Sequence, residues 1–264
     1  MPGEYLAADP KGRVILVGAI ERQKFVYQMN RNSDNKLVVS SPLEAHKPNT
    51  VTLDICALDN GLENPQFASL EINYGDEDIP SSAVVTGVLE KTLVIYEVDL
   101  GLNHVIRKFA ETVPESAHTL IPVPGGLENE GPGGLLVVCG DQIIFKKKDH
   151  EDRVSRIPRR VDFGESTPLS VVNHSGFFNQ NFGVVIFMQS ECGDLYKVTL
   201  DQVEQDVLAV NVAYFDTIAI CTQINLLESG YLFAAGDCAN HFMYRLTDLG
   251  ENSTSPFFCP RNQP

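Results

Sequence analysis

The side chains best equipped for chemistry sit in "YEVDLGLNHVIRKF", Tyr96 to Phe109. His104, Arg107 and Lys108 stand directly behind a Gly101-Leu102-Asn103 turn. A His and two cations on a loop are the raw material of a phosphate grip or of proton transfer. A strand that starts at the turn would, however, send alternate side chains to opposite faces. Without a bulge, Arg107 shares a face with Val105 and Phe109, and His104 and Lys108 take the other. The three then cannot converge on one substrate.

Other candidates are thinner. Cys238-Ala-Asn-His241 offers one metal-ligand pair where a structural zinc site usually needs two. "PGGLENEGPGG", Pro124 to Gly134, lacks the lysine of a P-loop and the G-x-G-x-x-G spacing. It leads into a strand pattern, so no helix dipole would meet a phosphate. No G-x-S-x-G marks a nucleophile elbow. Counting 35 Asp and Glu leaves a glycoside-cleaving carboxylate pair open, but the chain has no Trp to line a sugar site. An enzyme therefore finds little support, and no cofactor, metal or small-molecule substrate is expected.

Charge narrows the partners. A net charge of −15 and a pI near 4.7 oppose broad binding to phosphate backbones. "FKKKDHEDRVSRIPRR", Phe145 to Arg160, runs against the trend with seven Lys and Arg against three Asp and Glu. An exposed edge strand or solvated loop accounts for it, and no aromatics are interleaved to stack bases. No apolar run approaches the roughly 18 residues of a membrane span, and no basic-plus-apolar leader opens the chain. A soluble intracellular protein is expected. The six cysteines are scattered singly, as buried free thiols would be in a reducing compartment.

The elements that must position these residues are strands. Short apolar or alternating runs rich in Val, Ile, Leu, Phe and Tyr alternate with Gly, Asn, Asp and Pro. Hairpins are expected around Glu21–Gln23, Gly140-Asp141, Gly193-Asp194 and Ala239-Asn240. A fifth joins "PQFASLEINY" to "TLVIYEVDL" across an acidic insertion, Gly75 to Lys91. These hairpins open near Arg13, Gln66, Gly134, Phe182 and Gly230, a period of about 50 residues with about four strands per unit. That repeat predicts an all-β, WD-like β-propeller of about five blades, in preference to a sandwich or barrel. In each blade the first hairpin strand is expected to be buried and the second to alternate. The turns "QSECGDLYK" and "AGDCANHFMY" are equivalent in neighbouring units, which would bring Glu191 and Asp237 to one rim. Turn chemistry explains both acids equally well. The ragged ends predict one partial propeller over residues 1–264, within a larger propeller protein.

Nine blocks then carry a family resemblance. "DPKGRVILVGAIERQKFVYQMNR", "SSPLEAHKPNT", "ENPQFASLEINY", "YEVDLGLNHVIRKF", "VPGG", "IPRR", "GDLYKVTL", "YFDT" and "GYLFAAGDCANHFMYRLTDLG" occur in that order. They resemble the splicing factor 3b subunit 3 branch of the family shared with damage-specific DNA-binding protein 1 and the large cleavage and polyadenylation specificity factor subunit. The resemblance implies a non-enzymatic scaffold, and makes the chain most of an incomplete seven-bladed first propeller. It implies a nuclear location in the splicing factor 3b complex of the U2 small nuclear ribonucleoprotein. The partners would be the HEAT-repeat subunit and a small helical subunit, with only indirect association with U2 snRNA and pre-mRNA. Contact residues implied by the blocks are Ser41, Pro42, Leu43, Glu44 and His46, then Asn103, His104, Arg107 and Lys108. Glu191 and Asp237 would face the small subunit. A damage-binding-type adaptor of a cullin ubiquitin ligase is the alternative, disfavoured by "SSPLEAHK".

Overall fold

The computed structural model describes residues 5–18, 23–45, 50–73, 90–125, 131–158, 169–179, 183–227, 229–236 and 240–247. Every regular element among them is a strand. In order these are β1 (Tyr5–Ala8), β2 (Val14–Gly18), β3 (Lys24–Arg31), β4 (Leu37–Val39), β5 (Leu43–Glu44), β6 (Thr50–Leu58), β7 (Gln66–Asn73), β8 (Lys91–Asp99), β9 (His104–Val113) and β10 (Thr119–Pro122). They continue as β11 (Leu135–Val138), β12 (Gln142–Lys146), β13 (Arg153–Arg156), β14 (Val171–Asn179), β15 (Gly183–Ser190), β16 (Asp194–Val203), β17 (Asp206–Thr217), β18 (Cys221–Leu227), β19 (Tyr231–Gly236) and β20 (Phe242–Arg245).

Consecutive strands pair antiparallel into five sheets: β1 to β5, β6 to β9, β10 to β13, β14 to β17 and β18 to β20. Among the described residues no strand crosses from one sheet to another. A Greek-key sandwich would require such crossings, whereas successive four-stranded meanders are the blade repeat of a β-propeller. The expected hairpins are present as β2–β3, β7–β8, β11–β12, β15–β16 and β19–β20. The turn over Glu21–Gln23 and the Ala239-Asn240 turn lie largely outside the described residues.

Burial follows strand position within each sheet. The second strands are apolar runs closed in on both faces, as in β11 (Leu135 to Val138 all buried) and β15 (Val184 to Ser190 all buried). Third strands alternate, as β16 does from Tyr196 to Leu200. Outer strands such as β13 are half-exposed throughout. The expected buried-then-alternating order holds for the β15–β16 hairpin, whereas β2 and β19 alternate and β12 buries three residues in a row.

The chain divides into two compact units, Met1–Cys139 with Lys146–Asp149, and Gly140–Phe145 with His150–Pro264. In the first, Ala7, Val14, Leu16, Val26, Ile55, Phe67 and Val98 form a core shared by the first two sheets. In the second, Val185, Phe187, Leu195, Ile224, Leu232 and Tyr244 do the same for the last two. Burying side chains of this size contributes about 1.5–3 kcal/mol each.

A device that the sequence reading missed ties blades together. The innermost strands β6, β14 and β18 each carry one extra residue, Leu53, Val172 and Thr222, opposite an unbroken partner. The bulge re-aims the polar residue that follows it. Asp54 Oδ2 accepts the Leu120 N–H at 2.7 Å, joining β6 to β10 in the first unit. Asn173 donates to the Cys221 carbonyl at 2.7 Å, joining β14 to β18 in the second. Burial pushes the Asp54 carboxyl up to about 6, against the backbone hydrogen bonds from Leu120 and Ile55.

Candidate functional site

The predicted contact segments Ser41–Glu44 and Asn103–Lys108 meet in the first unit. The fourth strand of the first sheet is broken in two. Leu37, Val38 and Val39 pair with Arg31, Asn30 and Met29, and Ser40 donates to the Gln28 carbonyl at 2.9 Å. Beyond it, Leu43 and Glu44 pair with Val26 and Phe25, so one residue has been gained. The extra residue falls at Ser41-Pro42, where proline has no N–H for the ladder. Ser40 fills the gap: its Oγ accepts the Gln28 N–H at 2.9 Å and donates to the Ser41 carbonyl at 2.8 Å. Ser41, Pro42 and Glu44 are exposed, and Leu43 is half-buried over the core.

β9 passes alongside β5. Its entry turn is built by Asp99, whose Oδ1 accepts the N–H groups of Gly101 and Leu102, each at 2.9 Å. Asn103 closes the turn at φ 52°, in the left-handed region that asparagine tolerates. Gln28 Nε2 donates to Asn103 Oδ1, so this turn of the second sheet is pinned to β3 of the first.

The three side chains behind the turn divide as the alternation predicted, with one correction. β9 bulges: Tyr96 pairs with Arg107 and Ile95 with Phe109, leaving Lys108 extra. Arg107 keeps the face of Val105 and of its partner Tyr96 across the ladder, where its charge acts on the Tyr96 phenol. His104 and Lys108 take the other face, where Lys108 Nζ lies 3.1 Å from Glu97 Oε1. Phe109, expected beside Arg107, is moved by the bulge to the His104 and Lys108 face. Burial raises the Glu97 carboxyl, but hydrogen bonds from Gln66 and Lys108 outweigh it and hold the group below its ordinary range. At this exposure the Lys108–Glu97 pair contributes about 0–1 kcal/mol.

Beneath this edge runs a buried charge chain. Tyr96 Oη donates to Glu71 Oε1 at 2.9 Å, and Lys24 Nζ lies 3.0 Å from the same oxygen and 5.7 Å from the Tyr96 ring centre. Lys24, Glu71 and Tyr96 are all buried. Burial and the Glu71 carboxylate push the Tyr96 phenol far up, with Arg107 pulling it partly back. Arg107 is thus the exposed end of a chain that crosses β9, β8, β7 and β3. No sequence pattern reveals this; Lys24 and Glu71 read as ordinary strand residues.

The remaining predicted residues lie elsewhere. Glu191 sits in the β15–β16 turn, where its carboxylate accepts the Ser170 N–H at 3.0 Å and its own N–H donates to the Ser170 carbonyl at 3.0 Å. It clasps its turn to the start of β14. His46 and Asp237 lie outside the described residues, as do Cys238 and most of the acidic insertion. The basic segment runs from the end of β12 through a turn into the outer strand β13, and Arg159 and Arg160 lie outside the described residues; Lys146 pairs with Glu111, Arg153 with Glu151 and the Val207 carbonyl, and His150 with Asp206.

The arrangement described so far is a set of backbone edges and exposed turns braced from below. The family model described as the RSE1/DDB1/CPSF1 first beta-propeller matches residues 1–261. The chain belongs to this family. Among relatives of the RSE1/DDB1/CPSF1 first propeller, "Probable splicing factor 3B subunit 3" of Dictyostelium discoideum is 43% identical over 263 residues, covering 95% of this chain and 21% of that protein. "Pre-mRNA-splicing factor rse1" of Neurospora crassa is 42% identical over 275 residues, covering 100% of this chain and 23% of that protein. "Splicing factor 3B subunit 3" of Drosophila melanogaster is 39% identical over 260 residues, covering 98% and 21%. The chain therefore spans under a quarter of the length of the curated relatives it matches.

Proposed function

We propose that this chain is the first propeller, short of its full seven blades, of a non-enzymatic scaffold subunit in the splicing factor 3b complex of the U2 small nuclear ribonucleoprotein. It acts in the nucleus, supporting branch-site recognition in pre-mRNA through contacts with protein. The observation that carries this reading is the identity of about two residues in five with splicing factor relatives along nearly the whole chain.

The edge formed by Ser41, Pro42, Leu43 and Glu44, with Asn103, His104, Arg107 and Lys108, faces the other subunits, the HEAT-repeat subunit among them. His46 extends the same segment. Glu191 and Asp237 face the small helical subunit. Shape and rigidity support the assignment. The break at Ser41-Pro42 and the β9 bulge sit on a core-backed frame, so docking would require little ordering of the chain. The association with U2 snRNA and pre-mRNA is indirect, in keeping with a net charge of −15.

Affinity purification of the full-length protein from nuclear extract tests the reading. Recovery of the HEAT-repeat and small helical splicing subunits is expected. Recovery of a cullin in their place would establish the ligase adaptor instead.

A further inference from the structure

We infer that β4 is a strand-addition site, on which an extended, acidic-ended apolar segment of a partner protein completes the first sheet. The inference rests on the scaffold reading above and specifies how one partner is held.

Hydrogen-bond parity fixes the geometry. Asn32 donates to the Lys36 carbonyl at 3.0 Å and Ser40 to the Gln28 carbonyl at 2.9 Å. In an antiparallel pair, bonded and non-bonded positions alternate. Val38, opposite Asn30, therefore spends its N–H and C=O on β3. Leu37 and Val39 direct theirs outward, two residues apart, in the register that an added strand requires. Among the described residues no strand pairs with that side of β4.

Edge strands are normally blunted by charge, bulge or cover. β9 carries Arg107, Lys108 and a bulge. β13 carries Arg153 and Arg156 and packs beside β17. β4 is short and stops at the Ser41-Pro42 insertion, yet none of its own three residues is charged and no described strand covers it. It presents Leu37, Val38 and Val39 at 57%, 46% and 52% exposure, three consecutive apolar residues in water. Leaving such an edge uncovered invites association, so its retention points to an occupant.

Charge identifies the end of that occupant. Arg31 and Lys36 flank β4 and are exposed, with Asp34 the one acid in the turn between them. In a chain of net charge −15 this turn is locally positive. An incoming segment would set alternating apolar side chains against Leu37 and Val39, and a carboxylate against Lys36.

Hydrogen exchange at single-residue resolution, on the full-length protein alone and in the purified splicing complex, provides the test. In the complex, the Leu37 and Val39 amides should slow by at least about tenfold while Val38 is unchanged. Val39→Pro removes one outward donor without touching the β3 ladder, and should abolish the added protection at Leu37. Uniform or absent protection in an intact complex overturns strand addition and leaves the scaffold reading standing. Protection that appears in the isolated protein with rising concentration means self-pairing, and also overturns it. Failure to recover any splicing complex removes both.

Discussion

At the residue scale, buried charge makes the sharpest predictions. Lys24 and Glu71 are fully enclosed between the first two sheets, 3.0 Å apart. Removing one partner strands the other in a medium of low polarity. Lys24→Met should therefore destabilise the protein by about 3–5 kcal/mol, measured by denaturant unfolding, and Lys24→Met with Glu71→Gln should recover most of the loss. Equal loss in single and double variants would show that the two charges do not compensate one another. Titration adds a second prediction. Asp54, raised from 3.8 to about 6, binds its proton more tightly when folded, so its contribution is full below pH 4 and lost as pH rises through 6. His174 is opposite in sense. Burial lowers it from 6.5 to about 4, and among the described residues its Nε2 has no hydrogen-bond partner, so its contribution is present above pH 6.5 and lost as pH falls toward 4. The two slopes oppose each other across the mildly acidic range. Asp54→Asn should steepen the fall in Tm on acidification, and His174→Gln should flatten it, both read by thermal melts between those limits.

At the scale of the element, much was legible in the sequence. Period-two patterning and Gly-Asp turns located the five hairpins, because strand alternation and turn sterics act locally. Gly193 illustrates the turn constraint. Its φ is +86°, and an added Cβ would lie 2.3 Å from the Ile218 carbonyl. Gly193→Ala should cost about 1–3 kcal/mol in thermal or chemical unfolding. Bulges were not legible. Leu53, Lys108, Val172 and Thr222 look like ordinary strand residues, because a bulge is set by the register of two strands and carries no residue signature of its own. That is why Phe109, expected beside Arg107 if no bulge intervenes, stands on the other face. The Lys24–Glu71–Tyr96 chain and the Asp54–Leu120 tie were invisible for a related reason: each joins residues far apart in sequence. β4 escaped notice because three residues are too few to show a period. The proposed contact edge follows only from family resemblance, since the exposure and the strand break at Ser41-Pro42 are properties of the folded sheet.

At the scale of the whole molecule, the edges of the sheets are what a partner can reach. The RSE1/DDB1/CPSF1 first-propeller match covers residues 1–261, and relatives named as splicing factors share 39–43% identity with the chain. The core-backed sheets supply a platform, and Ser41–Glu44 and Asn103–Lys108 gather where β4 and β5 part and β9 bulges. A change confined to that edge should weaken assembly without unfolding the chain. Ser41→Arg with His104→Glu alters two exposed positions, and should cut recovery of partner subunits by about five- to tenfold. The most direct test is quantitative mass spectrometry of material co-purified with the full-length protein and with this double variant, after both show the same unfolding transition. The account predicts abundant splicing factor 3b subunits with the parent and their selective loss with the variant. Undiminished recovery with the variant, or a parent that brings down a cullin and no splicing subunit, would contradict it.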